Sequence, residues 1–437
     1  MTRLFSVLAA LCFAVPAWAG VDIKEVETPG GIDAWLVEDH SIPFMALELR
    51  FRGGTSLDAL DAQGATNLMV ALLEEGAGDL DARAFARSLE SLAASISFDS
   101  SDDDVSISAR FLTENRDEAV ALLKLALSQP RFDEDAIERV RQQVLSGLRS
   151  DARDPNDIAG KTFREMAYGD HPYARTGKGS IESVSALSRE DLVAAHEGAL
   201  ALDRVYVGAV GDITAEELGV LLDDLLGDLP ATGTPIPDRA TVTLAGGVTV
   251  VPYDTPQSVA LFGQIGIDRD DDDFFPAFVM NHILGGGGFE SRLMTEVREK
   301  RGLTYGVYSY LLPKDLASVY MGSVASANDR VAEAVDVIKA EWSRMAEEGV
   351  SAEELEAAKT YLTGAYPLRF DGHGRIASIM TGMQMQDLGV DYIDTRNDKV
   401  NAVTLEDISR VAQRVLQPEN LHFVVVGQPV GLETVTD

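Results

Sequence analysis

The sequence predicts an α+β protein made of two homologous halves, each a largely antiparallel sheet covered on one face by helices. Three observations point there. The chain repeats itself: residues 184–192 (VSALSREDL) read like residues 400–408 (VNAVTLEDI), and the register then runs without a gap to place residues 205–211 (VYVGAVG) on residues 421–427 (LHFVVVG). Within each half, strand patterns come first, then long helical patterns, then a short closing strand. Between the copies, residues 229–237 (LPATGTPIP) carry prolines and a glycine that continue neither a helix nor a central strand.

The N-terminus is read first, because it leaves before folding. Met1-Thr2-Arg3 gives a short positive start, residues 4–15 are apolar, and Pro16-Ala17-Trp18-Ala19 ends in small-x-small. This is the pattern of a signal peptide, residues 1–19, cut after Ala19. The apolar run falls short of the roughly 20 residues that a bilayer span needs. The bulky Leu11 occupies the place where a lipid-attachment box before Cys12 wants a small residue. The mature chain is therefore expected to be exported, in the periplasm, with no stable membrane insertion. Cys12 is the only cysteine, so the mature chain can form neither a disulfide nor a thiolate metal site. The formal net charge of -34 is spread along the chain, which excludes nucleic acid as a partner. Two readings of that charge stay open: selection of basic peptides, or solubility alone.

The first α+β domain is expected over residues 20–228. Residues 46–52 alternate like a half-buried strand and break at Gly53-Gly54. Residues 95–98 and 105–109 alternate on either side of a hairpin turn at residues 99–104. The helical pattern at residues 118–124 matches that at residues 333–339, and Leu145-Ser146-Gly147 corresponds to Leu362-Thr363-Gly364. In each copy a Ser or Thr (Ser188, Thr404) then stands as an N-cap, with acidic residues in the first turn of an amphipathic helix. Residues 229–239 form the linker, and the second α+β domain occupies residues 240–437.

Three stretches carry a resemblance. The first is residues 64–76, from Gly64 to Gly76, after a strand and a Gly-Gly. The second is Tyr168-Gly169-Asp170-His171-Pro172-Tyr173 with the capped helix and strand that follow. The third runs from Leu284 through Gly285-Gly286-Gly287-Gly288 and Phe289-Glu290-Ser291-Arg292 to residues 297–309. Over nearly the whole mature chain, these stretches resemble the pitrilysin/insulinase-type peptidases.

The resemblance implies a site of stated chemistry. Active members carry H-x-x-E-H on the first-half helix, with two zinc-binding histidines one turn apart and a glutamate that activates water. Here those positions hold Asn67, Val70 and Ala71, and the place of a further glutamate ligand holds Ser146-Gly147. The six histidines offer no substitute pair one turn apart. His196-Glu197 starts like H-E-x-x-H, but Leu200 takes the second ligand position. Gly177-Lys178-Gly179-Ser180 fails as a phosphate loop, because Pro172 stands where its leading glycine belongs. No metal is expected in this chain.

The second half keeps what the family uses there. Arg298 and Tyr305 stand seven residues apart, with Gly302 between them placed to turn the chain from a helix into a strand over residues 303–310. A phenol is a neutral donor and a guanidinium a fixed forked one, suited to a carbonyl oxygen that gains charge during hydrolysis. The ordinary alternative is a helix-end salt bridge for Arg298 and strand packing for Tyr305. Gly285, Gly286, Gly287 and Gly288 have two readings as well: close passage of helix and strand, or the substrate-engaging role of a glycine-rich loop in the non-catalytic subunit of the mitochondrial presequence peptidase.

The resemblance thus implies a non-catalytic subunit, inactive alone, that binds no cofactor itself. A homologous partner would carry the zinc, peptides would be the substrates, and Arg298 and Tyr305 would complete the partner's site. Two alternatives are a structural scaffold and a protein that captures peptides without cutting them.

Overall fold

The computed structural model describes residues 21–434, so the candidate signal peptide and Cys12 lie outside the described residues. The first half contributes strands β1 (Lys24–Glu27), β2 (Asp33–Glu38), β3 (Phe44–Arg52), β4 (Gly76–Ala77), β5 (Leu80–Asp81), β6 (Ser95–Ser100), β7 (Asp104–Leu112) and β8 (Val205–Gly211). Six of them form one sheet in the order β1-β2-β8-β3-β7-β6, and β4 and β5 make a small separate hairpin. The second half contributes β9 (Gly247–Pro252), β10 (Gln257–Ile265), β11 (Val307–Pro313), β12 (Ser318–Ala327) and β13 (His422–Gly427), ordered β9-β13-β10-β12-β11.

With β1 set aside, the two orders coincide strand for strand. Each closing strand (β8, β13) pairs in parallel with the first strand of its half (β2, β9), and all other pairings are antiparallel. The internal repeat read from sequence is thus a repeat of topology. Its caps repeat too. Ser188 and Asp191 form a reciprocal capping box, the Ser188 N–H donating to Asp191 at 2.7 Å and the Asp191 N–H to Ser188 Oγ at 3.2 Å. Thr404 and Asp407 do the same at 2.9 and 3.1 Å.

One face of each sheet buries a large apolar core under that half's own helices. In the second core Trp342 is fully buried, and its indole N–H donates to Gln264 Oε1 at 3.0 Å, which satisfies the one polar atom of the ring.

The other face of each sheet is partly covered by a helix from the opposite half. The helix Pro155–Tyr168 lies on β10 and β13, with Phe163 and Ala167 against Val319, Val424 and Val426. Reciprocally, the helix His373–Met385 lies on β8 and β3, with Ala377, Met380 and Met383 around Trp35 and Val210. Gly208 of β8 permits this approach: a Cβ there would lie 2.6 Å from the carbonyl oxygen of Ala377.

The exchange ends in a charged clasp. The turn between β6 and β7 presents Asp102 and Asp103 to the turn between β11 and β12. Asp102 takes Arg164 at 2.7 Å and also Lys314, whose side chain is 9% exposed. Lys314 Nζ sits 3.4 Å from the ring centroid of Tyr173. The Tyr173 hydroxyl donates to Asp103 and accepts the Leu316 N–H at 3.1 Å. Burial pushes Asp102 upward, but the charges of Lys314 and Arg164 outweigh it and hold the carboxyl below its ordinary value. Arg52 and Asp315 pair at 3.2 Å beside them.

Candidate functional site

The helix Ala65–Leu72 carries the three positions of the family's zinc motif. Its N-terminus is fixed by Asp58, whose carboxylate accepts the Gly64 and Thr66 N–H groups at 2.8 and 3.0 Å and the Thr66 hydroxyl at 2.6 Å. Burial pushes the Asp58 carboxyl up, and these three bonds work against it. Asn67 is half-buried, Val70 is buried at 4% exposure, and Ala71 is exposed. This helix packs against the helix Glu134–Asp151, where Ser146 is exposed and a Cβ on Gly147 would meet nothing within 4 Å. The two helices are brought together, yet neither supplies an imidazole or carboxylate at those positions. Among the described residues no three His, Cys, Asp or Glu side chains gather as a metal ion requires. His196, the start of the imitation motif, is buried and bonded through Nε2 to the Leu127 carbonyl at 2.8 Å.

In the second half, two π-helical segments, His282–Gly286 and Met294–Glu299, flank a short turn at Gly288–Glu290. Gly285 is a packing glycine. A Cβ there would lie 2.3 Å from Ser309 Oγ and 2.7 Å from the Ser309 backbone nitrogen, so helix and strand β11 meet only because it has none. Gly286 and Gly287 are crowded by Asn281 and His282, while Gly288 has open space but needs φ +61.

Arg298 lies on the second π-helical segment, which ends on Gly302 at φ +61. The Gly302 N–H bonds the Arg298 carbonyl at 2.8 Å and the Leu303 N–H the Val297 carbonyl at 3.0 Å. Each bond spans one residue more than in the usual Schellman closure, as a wider π turn requires. Gly302 therefore reverses the chain as the sequence predicts. The strand starts later than the predicted residues 303–310: β11 begins at Val307. The Thr304 hydroxyl donates to the carbonyls of Gly306 and Ala325 at 2.8 and 2.6 Å, which keeps residues 303–306 as a loop. Tyr305 sits in that loop.

Neither ordinary role describes this pair. The helix-end salt bridges are made by Arg298's neighbours: Glu296 takes Lys300 and Arg301, each at 2.7 Å. Among the described residues no carboxylate is within ion-pair reach of Arg298, whose guanidinium stands 4.8 Å from the ring centroid of Phe289. Tyr305 is 89% exposed and packs in no strand. Phe289, Tyr308 and Tyr310 are also exposed, so an aromatic face runs from the loop onto the edge strand β11. The structure places Arg298 and Tyr305 on the two sides of one chain reversal and prints no direct contact between them.

Comparison with known proteins supports this frame. Residues 34–177 match the insulinase family (peptidase family M16), and residues 186–362 match the peptidase M16 inactive domain. The chain belongs to the insulinase-like peptidase family M16.

The non-peptidase homolog YmxG of Helicobacter pylori is 28% identical over 89% of this chain and 90% of its own length. An uncharacterized zinc protease of Mycobacterium leprae is 26% identical over 83% of this chain and 82% of its own. A solved M16 inactive domain from Pseudomonas fluorescens superposes with a TM-score of 0.88 at 27% identity, covering 95% of this chain and 100% of that one. A Helicobacter pylori protease structure gives a TM-score of 0.84 at 17% identity over 93% and 99% of the two chains, a likeness of fold alone.

In this M16 chain, two contributors escape sequence reasoning. Phe289 stacks on Arg298, but an exposed aromatic beside glycines has no periodicity to mark it. Asp58 caps the degenerate helix from outside the Ser/Thr-x-x-Glu pattern. Its six-residue distance from Gly64 spans a loop rather than a helical turn.

Proposed function

We propose that this chain is the zinc-less subunit of a heteromeric M16 peptidase, inactive alone and completing the active site of a homologous partner. The partner's intact H-x-x-E-H helix supplies the metal and the base. This chain supplies Arg298 and Tyr305. The observation that carries the reading is that these two groups are held ready and unused: a guanidinium with no carboxylate among the described residues, and a phenol 89% exposed on the same chain reversal. The Tyr305 hydroxyl donates to the scissile carbonyl oxygen as negative charge develops there, and the Arg298 fork orients the substrate backbone. The aromatic face along β11 holds the peptide, with Gly285–Gly288 shaping its border rather than gripping it. The N-terminal 19 residues support export to the periplasm.

The relatives' names divide in the same sense, one being a non-peptidase homolog and another an uncharacterized zinc protease. In the test, the mature chain is dialysed and analysed for metal, then co-expressed with an exported M16 chain that carries H-x-x-E-H. We expect no stoichiometric zinc, no cleavage by the chain alone, and co-elution of the pair with peptidase activity. One tightly held zinc per chain overturns the proposal. Separate elution at micromolar concentration favours a scaffold or a peptide-capturing protein.

A further inference from the structure

The second half contains a cavity of about 500 Å³ that the proposed peptidase role does not use. It opens between the helix Phe274–Asn281, the helix Tyr392–Ala402, the segment joining Ala352–Ala365 to His373–Met385, and the far end of β11. Leu311 of β11 lines it and lies six residues beyond Tyr305, so the cavity is a separate site within about 20 Å of that loop. Its size suits a small organic ligand or one or two residues of a peptide.

Its composition runs against the rest of the chain. The protein has 71 acidic residues and 37 Lys and Arg, yet the cavity is lined by three arginines, Arg269, Arg369 and Arg396, and by no Asp or Glu. Elsewhere in the same half, arginines are neutralised: Arg292 by Glu354, Arg410 by Asp273 and Arg414 by Asp271. Among the described residues, none of the three cavity arginines meets a carboxylate.

Aromatic rings and neutral acceptors hold them instead. Arg269 stands 4.3 Å from the ring centroid of Phe274 and donates to the Tyr392 hydroxyl at 2.7 Å. Arg396 is only 6% exposed and stands 4.5 Å from the ring centroid of Tyr366. One of its terminal nitrogens donates to the Leu362 carbonyl at 2.8 Å and to Asn397 at 2.9 Å. Burial pulls the pKa of Arg396 down, and the like charge of Arg369 adds to that effect. Three like charges converging on one apolar-walled space repel each other and lose hydration. An anion placed among them relieves both costs, and a guanidinium fork matches a carboxylate in particular.

We propose that this cavity binds a carboxylate carried on an apolar body, the carboxylate held by Arg269, Arg369 and Arg396 and the body by the aromatic walls. The ligand chemistry has two sources, the C-terminal residue of a peptide and a free acyl acid. The inference stands independently of the zinc-less subunit reading, because it concerns this chain alone.

The test is calorimetric titration of the mature chain with three probes: a hexapeptide ending in phenylalanine with a free carboxylate, the same peptide as its C-terminal amide, and dodecanoate. At least one free carboxylate should bind saturably with one site per chain, and the amide should bind at least roughly tenfold more weakly than its acid. A preference for the peptide acid assigns the site to peptide termini, and a preference for dodecanoate assigns it to acyl acids. Two variants keep the fold out of the question. Arg369→Gln changes an exposed side chain and should weaken binding roughly tenfold. Gly382→Leu projects into the cavity from a helix where a Cβ meets nothing within 4 Å, so it should abolish binding without unfolding the chain. The proposal is overturned if neither acid binds, if acid and amide bind alike, or if Gly382→Leu, folded by circular dichroism, binds as wild type does.

Discussion

Replacing Lys314 by methionine removes the one ammonium that locks the turns of the two halves together. The substitution keeps an unbranched apolar stem of similar length and deletes only the charge. Two contacts go. One is the ion pair to Asp102, the other the cation–π contact at 3.4 Å from the Tyr173 centroid. Stripping one partner from a buried ion pair costs about 3–5 kcal/mol when the other charge is left alone. Asp102 is not left alone, since Arg164 still holds it at 2.7 Å, which moves the expected cost toward the lower end. The cation–π contact adds about 1 kcal/mol. A relief term opposes both, because burial disfavours the charged Lys314 and pulls its pKa down. The sum is a destabilisation of about 2–4 kcal/mol. Urea unfolding followed by far-UV circular dichroism and by Trp342 fluorescence reads both the size and the coupling. Trp342 reports the second core, so both probes should shift together if the clasp joins the halves. A loss under about 0.5 kcal/mol would refute the assignment of the clasp as a stabilising element.

Three further outcomes follow from the geometry. Burial pushes the Asp315 carboxyl up to about 6; an acid whose pKa rises on folding stabilises the folded state below its unfolded pKa, and that contribution is lost as pH rises through about 6. Stability measured at steps across this window should therefore fall in the wild type, and Asp315→Asn should flatten that fall. Gly285→Ala should destabilise by about 1–3 kcal/mol, because its Cβ meets Ser309 at 2.3 Å. Gly288→Ala, strained only by φ +61, should cost about 1 kcal/mol, and equal losses at the two positions would contradict the packing role given to Gly285.

The repeat was legible in the sequence because both copies keep the same cap, helix and strand at one spacing, and the shared strand order follows from it. The hairpin at residues 99–104 was legible as well, as alternation broken by acids. The exchange of helices between halves was not. The apolar face of Pro155–Tyr168 shows that the helix must be covered, but both sheets offer β-branched partners, and nothing local selects the far one. At the site, glycine spacing marked the chain reversal at Gly302, whereas the late start of β11 depends on the Thr304 hydroxyl choosing carbonyls from two directions. The arginines around the cavity come from three separate segments, and their lack of partners is a property of the fold that no linear pattern carries.

The central claim is that this chain lends transition-state donors to a partner's metal site. Tyr305→Phe in the assembled pair tests it most directly. The phenol is 89% exposed, so its loss should leave the stability and assembly of the pair unchanged. With one oxyanion donor gone, kcat and kcat/KM should fall together by about 10²–10³. A Tyr305→Phe pair that cleaves peptide as fast as the wild-type pair would contradict the account.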